Sequence, residues 1–254
     1  CFLQQMPDMD LSQAVVDSRC GSASYDEHKG TDIRLLSMED VKRNVLVIAA
    51  ADGTVKGLRD GEKDQLVLTA TDRRTIENRE CGNGVVIDHG NGIETQYCHM
   101  KKDSVAVRSG DKVQRGAVLG QVGISGRAQF PHVHLSVRHN GETIDPFDPD
   151  GEITCGTPDA KTMWQSPPPY RAGGILDVGF SDSVPAYDDV KSGRAAKAAL
   201  PADAPALVVY GYAFGGQTGD KVHIDLTGPD GKVLDQTVTL DKAQAQFFRA
   251  IGKR

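Results

Sequence analysis

The chain has 254 residues, with 29 Lys and Arg against 35 Asp and Glu, a formal net charge of −6, and 39% hydrophobic residues. This is globular composition, which excludes disordered and collagen-like classes. The longest apolar run, Val45 to Ala51, falls far short of the ~20 residues of a membrane-spanning helix, so no transmembrane segment is expected. A mildly acidic chain without a basic stripe excludes a nucleic-acid partner.

In chain order, residues 1–24 read as a polar, turn-rich N-terminal extension with one short helix near Leu11–Asp17. From Asp32 onward, short β-type runs alternate with Gly turns. The pattern predicts strands near Asp32–Leu36, Val45–Val55, Gln65–Ala70, Gly84–Asp88, Glu94–Met100, Ala117–Val122 and Val133–Val137. This is an all-β antiparallel meander, assigned to a first domain over residues 25–155. Residues 156–174 read as a linker around Pro167-Pro168-Pro169, because a proline triplet forces extended backbone and removes ladder donors. Residues 175–254 read as a small β-sandwich-like domain, with strands at Ala206–Phe214, Lys221–Gly228, Val233–Leu240 and Ala245–Ile251. Gly228-Pro229-Asp230-Gly231 is a turn between two of them. Four strands are few for a closed sandwich, so this domain reads as incomplete. No periodicity fixes an oligomeric state.

The five cysteines are Cys1, Cys20, Cys81, Cys98 and Cys155. None forms a C-x-x-C pair, which argues against a thiolate zinc knuckle or a thioredoxin-type site. Spaced single cysteines fit disulfides and an oxidising compartment. A hairpin turn at Gly90-Asn91 sets Cys98 opposite Asn83 and brings Cys81 within a diagonal step of Cys98. A Cys81–Cys98 bridge is therefore expected, contributing about 3 kcal/mol on the loop-entropy model. The odd cysteine leaves Cys1 for a partner upstream or for lipidation. The oxidising compartment points to a periplasmic or otherwise extracytoplasmic location; no signal peptide is visible, and a mature start would lack it.

Three segments carry the chemistry. Pro131-His132-Val133-His134-Leu135-Ser136-Val137 alternates strictly, so Val133, Leu135 and Val137 face the core while His132 and His134 share the opposite face. Two such imidazoles either address one metal ion or are simply exposed. His28-Lys29-Gly30-Thr31-Asp32 is a His-x-x-x-Asp spacing. Gly30 there argues for a loop entering a strand, and the bland alternative is a turn-capping Asp beside an exposed His. In Glu94-Thr95-Gln96-Tyr97-Cys98-His99, alternation sets Thr95, Tyr97 and His99 on one face and Gln96 and Cys98 on the other. The bridge would thus brace the back of a strand whose front carries His99. Together these segments offer two His and one Asp as ligands, with a fourth position for water, the ligand count of catalytic zinc. The remaining two histidines are available for proton transfer and oxyanion stabilisation. Magnesium and calcium prefer all-oxygen ligands.

These residues resemble the lysostaphin/LytM-type zinc peptidases, which cut peptide cross-links in bacterial cell walls. The likeness rests on His28…Asp32, Tyr97-Cys98-His99 and His132-Val133-His134 in that order, and on scaffold runs 49–55, 84–90 and 110–126. It covers roughly residues 25–147. The resemblance implies His28, Asp32 and His134 as ligands of one Zn2+ and His99 and His132 as the catalytic pair. Of these, His132 is the general base and His99 the oxyanion stabiliser, or the reverse. It implies peptidoglycan stem peptides as substrate. Gly126-Arg127-Ala128-Gln129-Phe130 is longer than the family's usual tight approach to the last motif.

Two rival functions remain. One is a non-catalytic scaffold of this fold that binds or activates another wall hydrolase, although such relatives usually lack one or more of the five residues. The other is an iron(II) oxygenase using two His and one carboxylate, which leaves His99 and His132 without a task. His89 reads as structural, and His139 and His223 as exposed. Cys98-His99 is no thiol dyad, because strand neighbours point apart.

Overall fold

The computed structural model describes residues 1–10, 12, 14–67, 69–151 and 161–253. It divides into two compact units, residues 1–35 with 40–171 and residues 36–39 with 172–254.

The first unit contains, in chain order, β1 (Phe2–Gln5), β2 (Thr31–Arg34), β3 (Leu46–Ile48), β4 (Gly53–Arg59), α1 (Ala70–Thr75), β5 (Asn83–Asp88), β6 (Ile93–Met100), β7 (Lys112–Val113), β8 (Val118–Gln121), β9 (His132–His139) and β10 (Glu142–Ile144). Its main sheet is antiparallel in the order β1-β2-β9-β6-β5-β4-β7, with β10 folded back on β9, and β3 and β8 form a separate ribbon. Val85, Ile87, Tyr97, Met100, Leu135 and Val137 pack its core. The all-β antiparallel architecture matches the sequence pattern.

Several details differ from that pattern, each for a local reason. Val45–Val55 is not one strand, since the chain leaves the ribbon after Ile48 and joins the main sheet at Gly53. Gln65–Ala70 contains no strand among its described residues. Instead Thr69 caps α1, its side chain accepting from Asp72 N at 3.1 Å while Asp72 accepts from Thr69 N at 2.8 Å. This capping box satisfies helix-end donors that a strand would not expose. No helix forms over residues 14–17, and Leu11 and Gln13 lie outside the described residues. Unread in the sequence, Asn140-Gly141 closes the β9–β10 hairpin with φ of 53° and 89°, the left-handed pair such a tight turn requires.

The second unit contains β11 (Gly174–Ser181), α2 (Tyr187–Ser192), β12 (Leu207–Gly216), β13 (Lys221–Gly228), β14 (Gly231–Thr239) and β15 (Gln244–Lys253). Three strands form a sheet in the order β11-β12-β15, and β13 and β14 form a hairpin closed between Gly228 and Gly231. Along β12, Val208, Tyr210, Tyr212 and Phe214 are buried while the residues between them are half-exposed, the period of a half-buried strand. The sequence pattern omits β11.

Cys81 and Cys98 are bonded, with Cα atoms 4.8 Å apart. The register differs from the one that predicts this bond. Asp88 pairs Glu94 and Val85 pairs Tyr97, because the turn uses His89 to Gly92, with positive φ at Gly90, Asn91 and Gly92. Cys20 is also disulfide-bonded, Cys1 is free and exposed, and Cys155 lies outside the described residues.

Candidate metal centre

The site lies on one face of β2 and β9. Asp32 pairs His134 and Arg34 pairs His132 across the ladder, and directly paired residues share a face. Leu135 and Val137 take the opposite face into the core, as alternation requires. Gly30 permits the close approach of the loop into β2, since a Cβ there would lie 2.5 Å from His134 Nε2 and 2.8 Å from Leu135 O.

His28, Asp32 and His134 converge. His134 Nδ1 lies 2.8 Å from Asp32 Oδ1, His28 Nε2 lies 3.3 Å from the same oxygen, and His28 Nε2 lies 3.3 Å from His134 Nδ1. A tetrahedral zinc with bonds of about 2.0–2.1 Å has ligand–ligand edges of about 3.3–3.4 Å. The two edges at His28 Nε2 match, and the His134 Nδ1–Asp32 Oδ1 edge, at hydrogen-bond distance, would open by about half an ångström to take that ion. His28 and Asp32 are each only 2% exposed, which removes the reading of a turn cap beside a surface histidine.

The hydrogen bonds behind these rings define their tautomers. A carbonyl can only accept, so His28 Nδ1–H donates to Met6 O at 2.7 Å, and Nε2, which faces Asp32, is the nitrogen on which a cation would replace a proton. His134 has the opposite arrangement. Ser136 Oγ spends its proton on Lys29 O at 2.8 Å and therefore accepts from His134 Nε2–H at 3.1 Å, so Nδ1, 2.8 Å from the Asp32 carboxylate, is the nitrogen on which a cation would replace a proton. His132 Nδ1–H donates to Phe130 O and His99 Nδ1–H to Ser125 O, both at 2.8 Å. Both rings thus carry Nε2 as an acceptor. His132 Nε2 is 3.5 Å from Asp32 Oδ1, and the His99 and His132 ring centroids are 4.6 Å apart.

Electrostatics follow from burial and crowding. Burial pushes the Asp32 carboxyl up, but the charges of His28 and His132 with the hydrogen bonds from His134 and His28 together outweigh it and hold the group well below the usual carboxylate range. Burial pushes His28 down, and Asp32 and the Met6 carbonyl reverse it, so its pKa is raised. Burial, then the neighbouring His132 and His134, hold His99 well below its ordinary value, and burial lowers His132. The Tyr25 ring stacks on His28 at 4.3 Å, and burial followed by the Asp32 charge raises its hydroxyl.

His99 reaches this face by a route that alternation does not provide. Cys98 pairs His134 and Tyr97 pairs Leu135, so the disulfide is on the site face and Tyr97 is in the core. Regular alternation would send His99 toward the core. A bulge reverses it: Val85 pairs Tyr97 while Asn83 pairs Met100, and His99 adopts a left-handed φ of 62°. The disulfide therefore stands beside the histidine cluster rather than behind its strand.

Sequence reasoning passes over Met6, Ser125, Phe130 and Ser136. Ser136 was within reach, because the same period of two places it with His132 and His134. The other three act through backbone carbonyls, which leave no residue-type signal. Among the other histidines, His89 Nδ1 donates to Asp52 O and its Nε2 meets Thr95 Oγ1, each at 2.7 Å. His139 ends β9 in an exposed position, and His223 pairs with Asp235 in the second unit.

Residues 26–146 match Peptidase family M23. Over 76 residues the chain is 41% identical to the DD-carboxypeptidase/endopeptidase Mpg of Neisseria meningitidis serogroup B, a match covering 29% of this chain and 17% of that protein. Over 95 residues it is 41% identical to the peptidoglycan DD-endopeptidase ShyA of Vibrio cholerae serotype O1, covering 36% of this chain and 22% of that protein. The chain thus spans about a fifth of the length of these curated relatives. The catalytic domain of lysostaphin from Staphylococcus simulans superposes with a TM-score of 0.34 at 21% identity, covering 48% of this chain and 77% of that one, a likeness too loose to argue from.

Proposed function

We propose, from the match of residues 26–146 to Peptidase family M23, that the protein is a zinc-dependent endopeptidase that hydrolyses peptide cross-links of bacterial peptidoglycan outside the cytoplasm. One observation carries the reading: three donors converging within 3.3 Å of one another, flanked by two buried histidines whose Nδ1–H is spent on a backbone carbonyl. His28 Nε2, Asp32 Oδ1 and His134 Nδ1 hold the ion. Zinc bound there supplies a Lewis acid and makes water acidic enough to lose a proton near neutral pH.

The chain's own residues do the rest. His132 Nε2, next to Asp32, takes the proton of the attacking water and returns it to the leaving amine as the C–N bond breaks. His99 Nε2 faces the same space, and because the neutral ring keeps its proton on Nδ1, it would donate to the oxyanion only after taking up a proton released by the attacking water. Each ring keeps its Nδ1–H on a backbone carbonyl throughout, so its reactive edge does not swing away. Residues 175–254 serve as an accessory domain. The Cys81–Cys98 bridge fits a periplasmic or other oxidising location.

The test is mass spectrometry of cross-linked muropeptides incubated with the protein, with and without a chelator. New uncross-linked stem peptides that vanish with chelator and return with zinc are expected. No cleavage by zinc-replete protein would replace the enzyme with the scaffold reading, and stoichiometric iron in place of zinc in the purified protein would support the oxygenase-type donor set.

A further inference from the structure

We propose that the Cys81–Cys98 disulfide is a positioning element for His99, acting on the rate of the hydrolytic step and not on zinc occupancy. The inference rests on the functional reading above and adds to it a support for one of its histidines.

The geometry is a two-point clamp. Cys81 is bonded through sulfur to Cys98, and its carbonyl accepts from the backbone N–H of the next residue, His99, at 2.8 Å. These two links straddle the peptide where the chain turns left-handed. A non-glycine residue at φ of 62° is costly in isolation and persists only where its surroundings over-determine it. His99 O is fixed in turn by Gly123 N at 3.0 Å.

The same clamp reaches the imidazole. Its Nδ1–H partner, Ser125 O, lies in a loop packed backbone-to-backbone on the segment that carries Cys81. Arg127 N donates to Glu80 O at 2.7 Å. A Cβ on Gly82 would lie 2.5 Å from Gly126 N, and a Cβ on Gly126 would lie 2.2 Å from Glu80 O. Segment 80–82 is therefore a platform that holds the Ser125 carbonyl from below and the His99 backbone through Cys81. Cutting the Sγ–Sγ link frees the platform from β6 and loosens both attachments of His99 at once. His28, Asp32 and His134 sit on the loop before β2, on β2 and on β9, and His134, though paired with Cys98, is held as well by its pairing with Asp32 and by Ser136.

The test uses the full-length C81A/C98A variant. Alanine is preferred to reduction, because a free Cys98 thiolate on the face of His134 would itself be a metal ligand. Zinc content should stay at one per chain and KM within about threefold, while kcat falls by roughly 10²-fold, the scale of an ångström-sized misplacement. The 15N signal of His99 should lose its single Nδ1–H tautomer while that of His132 keeps it. A purely structural bridge would lower Tm yet leave kcat and the His99 signal unchanged, and that outcome overturns the proposal. Loss of zinc in the folded variant overturns it equally. If the variant does not fold by circular dichroism, the C81S/C98S variant, which leaves the other cysteines untouched, carries the same readouts. Inactive wild type would defeat the peptidase reading, whereas the tautomer measurement would still decide the positioning role.

Discussion

Replacing Ser136 by Ala tests the tautomer logic of the centre without touching a ligand. Ser136 is 4% exposed, and its hydroxyl accepts from His134 Nε2–H at 3.1 Å while donating to Lys29 O at 2.8 Å. In S136A the His134 proton has no partner on Nε2. It can instead move to Nδ1, where Asp32 Oδ1 waits at 2.8 Å, and that tautomer blocks the lone pair a cation needs. A buried polar group left unpaired costs about 1–3 kcal/mol. Loss of an outer partner of a metal-bound histidine typically costs about 10–100-fold in affinity, which is about 1.4–2.7 kcal/mol at 1.36 kcal/mol per decade. The two estimates agree, so zinc affinity should fall by one to two decades. Competition against a chromogenic chelator measures it, and S136T, which keeps a hydroxyl, should recover most of the loss. Folded S136A binding zinc within twofold of wild type would refute the tautomer assignment for His134.

The remaining predictions concern the donors, the flanking pair and the core. H28A, D32A and H134A should each lose zinc by elemental analysis and lose muropeptide hydrolysis with it. H99A and H132A should keep zinc but slow hydrolysis by roughly 10²–10⁴-fold, and full turnover by H132A on a defined peptide would overturn its role as base. Ile87 is fully buried among Val55, Val85 and Tyr97, so I87A should cost about 2–5 kcal/mol in denaturant unfolding with zinc stoichiometry unchanged.

What the sequence reveals depends on which physical rule sets each feature. Strict alternation in His132–Val137 separates core from site because a strand has a period of two, and the ladder then delivers Asp32 opposite His134. Features set by cap chemistry were equally legible but are easy to misread. Thr69-Ala70-Thr71-Asp72 carries a capping box, and its β-prone Val67 and Thr69 suggest a strand instead. The Cys81–Cys98 bond tolerates a register error of one residue, since a disulfide needs Cα atoms within about 4.4–6.8 Å and not a particular ladder pairing. The face of His99 tolerates no such error. A bulge adds one residue to one strand, and every later side chain reverses. No residue type announces that insertion; only Gly84, where a Cβ would lie 2.3 Å from Tyr97 O, hints at the crowding it causes.

The centre is specified at two levels that lie in different parts of the chain. Side chains of the donor set come from the matched segment 26–146, and their spacing can be read from it. The protonation states of the two imidazoles come from the acceptors behind them, Ser136 Oγ for His134 and, for His28, Met6 O, which belongs to a strand extension outside that segment. Residues 6–8 hold His28 twice, since Met6 O takes the ring proton at 2.7 Å and Asp8 N donates to His28 O at 2.8 Å. Leu3 and Met6 anchor that extension in a small core with Phe147, and β1 ties it to β2. A buried imidazole offered the wrong tautomer is a donor and repels a cation; offered the right one it is a ligand. The N-terminal residues therefore belong to the chemistry of the centre, and a boundary drawn by sequence likeness alone cuts through its outer shell.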